Sequence, residues 1–201
     1  MIKIGLTGSL ASGKTTASKI ISKGRGPLFS ADKEVKKLYM QKSFKRLVAK
    51  SFKFQLNKSL KTEIKKKVLQ KKKNLKKLEQ IIHPLVRKEM FKFLNKNKSK
   101  KFLFFEIPLL IENKLQKHFD VVIFIKSKNR LRLNRYISRG GGTKFFTMLD
   151  KHQLKDSTKM KFCDHIVVNN KSLFILKKKL SNIIKLYEWN LFRHWNNRTF
   201  F

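Results

Sequence analysis

The chain has 201 residues, of which 50 are lysine or arginine and 12 are aspartate or glutamate, so its formal net charge at pH 7 is +38. This length suits one well-cored domain with room for a mobile lid, and it is too short for two independent domains of ordinary size. The single cysteine excludes an intramolecular disulfide framework. The five histidines share no metal-ligand spacing, so no zinc site is predicted.

The basic excess has two explanations, a polyanionic partner or compositional drift. The lysines are spread from Lys3 to Lys185, and the chain is also rich in Phe, Ile and Asn, the residues of A+T-rich codons. This pattern favours drift, so we predict neither a nucleic-acid nor a membrane partner. No run approaches the roughly 18 apolar residues of a membrane-spanning helix, and no export signal is recognisable, so we expect a cytoplasmic protein.

The first functional motif is a phosphate-binding loop. An apolar run at residues 2–6 predicts a buried strand, residues 8–15 fit the pattern G-x-x-x-x-G-K-[ST], and residues 16–22 are compatible with a helix. In such a loop, backbone N–H groups and the positive end of the helix bind a triphosphate. Lys14 would reach the phosphates and the Thr15 hydroxyl would ligate Mg²⁺. The alternative is a glycine-rich turn without a ligand.

A short second strand at residues 28–29 leads to Asp32, and the next helix is predicted at residues 33–40. In open α/β sheets, ligands bind outside the carboxyl ends of the strands, which would make Asp32 face the nucleotide. A helix N-cap is the equally supported alternative for this aspartate.

Residues 43–101 carry apolar positions at helical spacing among many lysines, and we predict an insertion of two or three helices. The residue before a proline is pushed out of the helical region, so His83-Pro84 is predicted to end one helix and start another. His83 at this junction either contacts a ligand or caps a helix end.

The second half of the chain supplies three more strands and a candidate lid. Strands are predicted at residues 102–105, 121–125 and 166–168. Glu106 ends the first of them, where enzymes with a phosphate loop hold Mg²⁺ or its water shell. A helix at residues 130–138 would place Arg135 and Arg139 on one face, where they either stabilise phosphate charge or are surface charges. The glycines at 140–142 predict the hinge of a closing lid. A last helix is predicted at residues 173–186.

These elements predict an α/β fold with three layers, α/β/α, around a central five-stranded parallel sheet. We expect a single domain over residues 1–201, with its core at 1–32, 102–134 and 164–186. A helical insertion would span about 33–101 and a lid about 135–160. Residues 187–201 form an aromatic C-terminal tail for which the sequence predicts no function.

Several motifs in this order make residues 1–185 resemble the dephospho-CoA kinase family. Besides the phosphate loop and Ala31-Asp32, they are His83-Pro84-Leu85-Val86, Pro108-Leu109-Leu110-Ile111-Glu112, Arg135-x-x-x-Arg139, Gln153 with Lys159, and Cys163-Asp164-His165-Ile166-Val167-Val168-Asn169-Asn170. The His-Pro and Pro-Leu-Leu-x-Glu elements separate this family from adenylate, thymidylate and shikimate kinases.

The resemblance implies a P-loop kinase domain whose helical insertion, at about 33–101, is the acceptor-binding region. It also implies transfer of the γ-phosphoryl group of ATP to the ribose 3′-hydroxyl of dephospho-CoA, with Mg²⁺. By position, Asp32 is similar to the catalytic base of the family, Arg139 to the lid arginine with Arg135 in support, and Asn169 to a residue near adenine. The acceptor pocket would be shaped by His83, Pro108, Leu109 and Glu112. The ATP-binding residues would be Gly8, Ser9, Leu10, Ala11, Ser12, Gly13, Lys14, Thr15 and Thr16. A monomer is expected.

The chain departs from the family pattern in three places. Three glycines follow Arg139 where the family usually has an acidic residue, and the stretch from there to Gln153 is one residue short. Glu106 replaces a common aspartate, and Lys61 stands near the place of an arginine. Two other functions stay open: a kinase of the same fold that phosphorylates a nucleoside monophosphate, and a basic nucleic-acid binder that keeps the fold as a scaffold.

Overall fold

The computed structural model of the protein describes residues 1–55, 59–71 and 73–196, with side chains up to Trp189. Its contacts divide the chain into two compact units, one formed by Met1–Leu28 with the chain from Ser99 onward, the other by Phe29–Lys98. We call them the α/β unit and the helical unit.

The strands form one five-stranded sheet in the order β2-β3-β1-β4-β5. Their bounds are β1 Ile2–Gly8, β2 Leu28–Ser30, β3 Phe102–Glu106, β4 Val121–Lys126 and β5 His165–Val168. β1 pairs in parallel with β3 and β4, and β4 pairs in parallel with β5. This confirms the predicted central parallel sheet. The near-continuous apolar runs of β3 and β4 follow from burial of a parallel sheet on both faces.

In the described part of the chain, one helix follows β1, four lie between β2 and β3, three lie between β4 and β5, and one follows β5. They are α1 Lys14–Ser22, α2 Ala31–Leu38, α3 Lys42–Phe52, α4 Leu60–Gln70, α5 Lys73–Lys96, α6 Asn129–Ile137, α7 Thr143–His152, α8 Asp156–Met160 and α9 Leu173–Asn196. A short 3₁₀ turn occupies Gln116–His118. Of the helices described, none combines the length and the apolarity that crossing a membrane requires.

The main core of the α/β unit lies between the sheet and the helices α1 and α9. Apolar side chains at helical spacing on both helices are fully buried against β1, β3 and β4, as amphipathic helices require. The cluster consists of Ile4, Leu6, Ala17, Ile21, Phe102, Phe104, Val121, Ile123, Ile125, Val167, Leu176, Leu180 and Ile184. This packing fixes the carboxyl ends of the central strands, where the candidate site lies.

The helical unit has its own small core. Most of its buried apolar side chains come from α3, α4 and α5, and these are Phe44, Val48, Ala49, Phe52, Leu60, Ile64, Val68, Leu78, Ile82 and Met90. The ammonium group of Lys77 lies 5.2 Å from the centre of the Phe52 ring, which adds a cation–π contact between α5 and α3. The predicted insertion of two or three helices at 43–101 thus corresponds to α3, α4 and α5.

The predicted helix break at His83-Pro84 is wrong, because α5 runs through Pro84 without interruption. A proline inside a helix removes one backbone hydrogen bond and costs about 3 kcal/mol. Buried side chains on both sides of it, Ile82 and Met90, hold the helix in place by tertiary packing, and this outweighs the local preference. His83 therefore lies inside a helix, and its interpretation as a helix cap is also wrong.

The last helix is longer than predicted. α9 extends to Asn196 and so includes the first ten residues of the predicted tail at 187–201. Residues 197–201 lie outside the described part of the chain.

Candidate active site

The phosphate loop joins β1 to α1. Gly8 ends the strand, Gly13 occupies the N-cap position, and Lys14 opens the helix. The Lys14 side chain is buried, and its Nζ donates to the carbonyl oxygens of Gly8 at 2.9 Å and Ser9 at 2.8 Å. The first turn of α1 contains no acidic residue, so the positive end of the helix is available to an anion.

Both the backbone conformation and the neighbouring atoms require glycine at position 13. Its φ of +98° lies in the left-handed region, which favours glycine. A Cβ atom at this position would lie 2.2 Å from Nδ2 of Asn169, the residue that follows β5. The same Nδ2 donates to the Ser12 carbonyl at 2.9 Å. The loop is thus fitted against the carboxyl end of β5.

The loop contains a buried hydroxyl that fits a phosphate ligand. Ser12 Oγ is buried and has no hydrogen-bond partner among the described residues. An unsatisfied buried donor is costly, and phosphate oxygens accept strong hydrogen bonds. Together with the Lys14 ammonium group and the uncompensated N-terminus of α1, this donor fits a triphosphate at the loop.

Thr15 and Glu106, the two predicted magnesium ligands, are in direct contact. The Thr15 hydroxyl donates to Oε1 of Glu106, and Ser18 Oγ lies 3.4 Å from its Oε2. The parallel register that aligns Leu6 with Glu106 brings this carboxylate beside the loop. Among the described residues, no three His, Cys, Asp or Glu side chains cluster as a metal-binding group. One carboxylate and one hydroxyl still fit Mg²⁺, which takes most of its ligands from water and phosphate.

Arg135 ties α6 to the loop and to the end of β5. Its guanidinium group donates to the Ser12 carbonyl at 3.3 Å, to Ser127 Oγ at 3.1 Å and to the Asn169 carbonyl at 3.1 Å. Burial, followed by the charge of Arg139, lowers the pKa of Arg135. Arg139 lies beyond the end of α6 and is exposed, so the expectation that both arginines share one helical face is wrong.

The three glycines after Arg139 form an ordered turn. Gly140 has a φ of +82°, and its N–H donates to the Ile137 carbonyl at 2.8 Å. A Cβ on Gly141 would lie 2.1 Å from a ring carbon of Tyr136, so any other residue there would require the Tyr136 ring to move. The glycines thus close α6 and lead into α7. Movement of a lid about this turn stays a prediction.

A second polar cluster follows β3. Thr7 Oγ1 donates to the Pro108 carbonyl at 3.0 Å, and Leu109 is half-buried. Glu112 pairs with Nζ of the fully buried Lys159 at 2.6 Å and accepts from the backbone N–H of Leu154 at 3.2 Å. The ion pair holds α8, and the hydrogen bond from Leu154 holds the segment between α7 and α8. The predicted acceptor residues Pro108, Leu109 and Glu112 therefore belong to the α/β unit.

The other predicted acceptor residues belong to the helical unit. Asp32 is the second residue of α2 and is exposed, and Ser30 holds the N-cap position of that helix. The alternative interpretation of Asp32 as an N-cap is therefore wrong. His83 is half-buried within α5.

Comparison with known proteins identifies the family. A family model described as dephospho-CoA kinase matches residues 2–174. The chain belongs to the dephospho-CoA kinase family. A dephospho-CoA kinase from Fusobacterium nucleatum is 32% identical over 182 residues, which cover 88% of this chain and 94% of the relative. One from Zymomonas mobilis is 31% identical over 188 residues, covering 91% and 95%.

Solved structures agree with this assignment. A dephospho-CoA kinase from Campylobacter jejuni has a TM-score of 0.60 at 27% identity and covers 91% of this chain and 95% of its own. A protein from Thermus thermophilus has a TM-score of 0.73 at 24% identity, with coverages of 92% and 96%, and supports the fold alone. The predicted family and its kinase activity class are thereby confirmed, and kinases of this family use ATP as substrate.

The sequence did not predict two carboxylates of the lid segment that act on the loop, one directly and one through an arginine. Asp156 accepts a hydrogen bond from Ser9 Oγ, and Asp150 pairs with Arg132. Neither contact is visible as a motif, because the partners lie 147 and 18 residues apart. The sequence did contain one indication. Only 12 of its 201 residues are acidic, so each acidic residue in the lid was a candidate for a specific role.

Cys163 of this family member should be unreactive in the folded protein. Burial, with a further contribution from Asp164, raises the pKa of its thiol to about 12, so at pH 8 roughly one molecule in ten thousand carries the thiolate. We expect no alkylation by iodoacetamide at pH 8, as measured by intact mass, and complete alkylation after unfolding in urea. Equal rates in the folded and unfolded protein would contradict the raised pKa.

Proposed function

We propose that the protein transfers the γ-phosphoryl group of ATP, with Mg²⁺, to the ribose 3′-hydroxyl of dephospho-CoA, giving coenzyme A and ADP. The observation that carries the proposal is a phosphate loop with a buried Lys14 in a chain of the dephospho-CoA kinase family. We further propose a cytoplasmic monomer. Light scattering tests the monomer against the chain mass of 23.9 kDa.

ATP would bind to the loop from Gly8 to Thr16. Lys14 would neutralise charge on the β- and γ-phosphates, and the N–H groups at the start of α1 would donate to phosphate oxygens. Arg135 and Asn169 contribute through their contacts with the Ser12 carbonyl, which hold the loop in shape. We propose that Asn169 also lies near the adenine.

Thr15 and Glu106 would hold Mg²⁺, Thr15 directly and Glu106 directly or through the water shell. Held by these two residues, Mg²⁺ would supply positive charge that offsets the negative charge of the phosphate groups. Their mutual hydrogen bond keeps both oxygens together beside the loop. For the chemical step, we propose that Asp32 accepts the proton of the acceptor hydroxyl and that Arg139 stabilises charge on the transferred phosphoryl group.

Dephospho-CoA would bind partly in the helical unit. A cavity of about 700 Å³ in that unit is lined by the apolar side chains of Tyr39, Met40 and Leu60 and by Ser59. Four lysines also line it: Lys36, Lys37, Lys45 and Lys61. Apolar walls with several ammonium groups suit an acceptor with a long, largely uncharged arm and a diphosphate. We propose that this cavity binds that part of dephospho-CoA.

Replacing Lys36, Lys45 and Lys61 together with glutamine should raise KM for dephospho-CoA about tenfold or more, because the diphosphate loses nearby positive charge. KM for ATP should stay within a factor of two. The matched control replaces Lys66, Lys76 and Lys88, three exposed lysines on α4 and α5 outside the cavity. An equal rise of KM in the control variant would contradict a specific role of the cavity.

The proposed reaction is tested by a coupled ADP-release assay with Mg·ATP. Dephospho-CoA, AMP and dTMP are compared as acceptors with a reaction that contains none. We expect ADP release that depends on dephospho-CoA. Release with a nucleoside monophosphate alone would contradict the proposed acceptor, and ATP binding without turnover on any acceptor would contradict the proposed activity.

A further inference from the structure

Arg132 on α6 is a buried arginine between the phosphate loop and the lid segment. Only 6% of the residue is exposed. Its Nη1 and Nη2 donate to the two carboxylate oxygens of Asp150 on α7, the second of these at 3.2 Å. Nη1 also lies 3.4 Å from the carbonyl oxygen of Leu10 in the loop. One guanidinium group thus contacts both the lid segment and the loop.

Compositional drift does not account for this pair. Drift toward lysine places cations on the surface, where they remain hydrated, whereas a buried charge is costly unless it is paired. Arg132 is one of few charged residues buried in the described part of the chain, and it faces one of only 12 acidic residues. The two-pronged geometry also requires arginine, because an ammonium group cannot donate to both carboxylate oxygens in one plane.

The arginine is not placed for stability alone. Its Nε is buried and has no hydrogen-bond partner among the described residues. A buried donor without a partner is a cost that purely structural arginines avoid. The centre of the Phe146 ring on α7 lies 5.7 Å from the guanidinium carbon, so the group is also held from the lid side. The guanidinium group is thus oriented toward Leu10, and its Nε is left without a hydrogen bond.

A second carboxylate of the same segment contacts the loop independently. Asp156, the first residue of α8, accepts from Ser9 Oγ. Adjacent residues of the loop, Ser9 and Leu10, are therefore each contacted from the lid segment, directly by Asp156 and through Arg132 by Asp150. The loop would bind phosphate through its backbone N–H groups. Contacts that already hold the loop in place therefore reduce the conformational entropy that it loses on binding.

We propose that Arg132, paired with Asp150, is a positioning residue for ATP: it fixes the loop backbone at Leu10 and α7 in the arrangement that binds the triphosphate. In this role Arg132 acts through the loop and not on the nucleotide, because its Nη1 and Nη2 atoms are engaged by Asp150 and the Leu10 carbonyl oxygen. The inference rests on the proposed function of the loop as the ATP site. Loss of Asp150 leaves the charge of Arg132 buried without its partner, and loss of Arg132 removes the link between α7 and the loop. In either case the loop must be ordered at the expense of ATP affinity.

The test uses Arg132→Met, Asp150→Asn and the double variant, with Arg130→Met as the matched control. Arg130 is an exposed arginine on the same helix. ADP affinity is measured by calorimetry, KM for both substrates by the coupled assay, and Tm by fluorimetry. We expect ADP affinity to fall and KM for ATP to rise roughly 3- to 30-fold in each single variant. KM for dephospho-CoA should change less than twofold.

Two further results separate positioning from simple stabilisation. The double variant should be no worse than the poorer single variant, because the pair acts as a unit. The exchanged pair, Arg132→Asp with Asp150→Arg, restores the ion pair but moves the guanidinium group to α7. It should recover Tm while ADP affinity stays low, because the contact with Leu10 is lost.

Unchanged ADP affinity in Asp150→Asn would overturn the proposal, and so would an equal rise of KM for both substrates in a variant with lowered Tm. Recovery of ADP affinity in the exchanged pair would overturn the role of the Leu10 contact. If Arg132→Met does not fold, Asp150→Asn, which keeps the size of the side chain, decides the matter. Calorimetry with ADP needs no acceptor, so its result is independent of whether dephospho-CoA is the substrate.

Discussion

Lys14→Ala is expected to lower kcat at least about 100-fold, the loss that follows removal of one preorganised charge stabiliser. The Lys14 ammonium group is buried at the loop and lies 2.9 Å and 2.8 Å from the carbonyl oxygens of Gly8 and Ser9. Negative charge shifts among the phosphate oxygens in the transition state, and a fixed ammonium group stabilises it without reorganisation. The coupled ADP-release assay at saturating dephospho-CoA measures the effect.

The matched control for this variant is Lys19→Ala on the same helix. Lys19 is exposed, so its loss changes the charge of α1 by the same amount without touching the loop. We expect wild-type turnover in the control. Because Lys14 also donates to two loop carbonyl oxygens, Tm is measured for both variants. A Lys14→Ala protein with unchanged Tm and turnover within fivefold of wild type would contradict the assigned role.

Asp32→Asn is expected to lower kcat by about 100- to 10,000-fold, the usual contribution of a general base. The substitution keeps the size and shape of the side chain and removes its ability to accept a proton. Asp32 is exposed on the first turn of α2, so the fold should be unaffected. ADP affinity, measured by calorimetry, should remain within a factor of two, because the residue is assigned to the acceptor hydroxyl.

Glu34→Gln supplies the control for Asp32→Asn. Glu34 lies in the same helical turn and pairs with Lys37 at 2.8 Å, so the control removes the same charge two residues away. Turnover near that of wild type in the control, with strong loss in Asp32→Asn, would separate base catalysis from general electrostatics. Equal effects of the two substitutions would argue against a specific role of Asp32.

The sequence predicted the parts of the fold that depend on local pattern. The apolar run of β1, the loop at residues 8–15 and the start of α1 are contiguous, and each has a short-range signature. Glu106 was also predictable, because a carboxylate directly after a buried strand must lie at the carboxyl end of the sheet. The parallel register of β1 and β3 brings Glu106 beside the loop, and the apolar pattern of the two strands determines that register.

What the sequence did not predict depends on tertiary contacts. The continuous helix through Pro84 is held by buried neighbours that no local rule includes. The pairing of Arg132 with Asp150 depends on the turn at Gly140 and Gly141, whose shape is set by φ and by the Tyr136 ring. In a chain with 50 basic residues, spacing alone cannot select the arginine or lysine that is buried.

The Glu112–Lys159 pair illustrates the same limit. Both residues were noted as family motifs, yet the sequence did not predict that they contact each other. The structure joins them in an ion pair of 2.6 Å with Lys159 fully buried. Whether Glu112 also shapes the acceptor pocket stays a prediction, since its observed contacts are with Lys159 and the Leu154 N–H.

The measurement that tests the central claim most directly is ³¹P NMR of the product formed from Mg·ATP and dephospho-CoA. We predict stoichiometric ADP and a new phosphomonoester on the ribose 3′-oxygen, with the diphosphate of the acceptor unchanged, and no such signal with Lys14→Ala. A phosphomonoester at another position, or ADP formation without any phosphorylated dephospho-CoA, would contradict the proposed reaction.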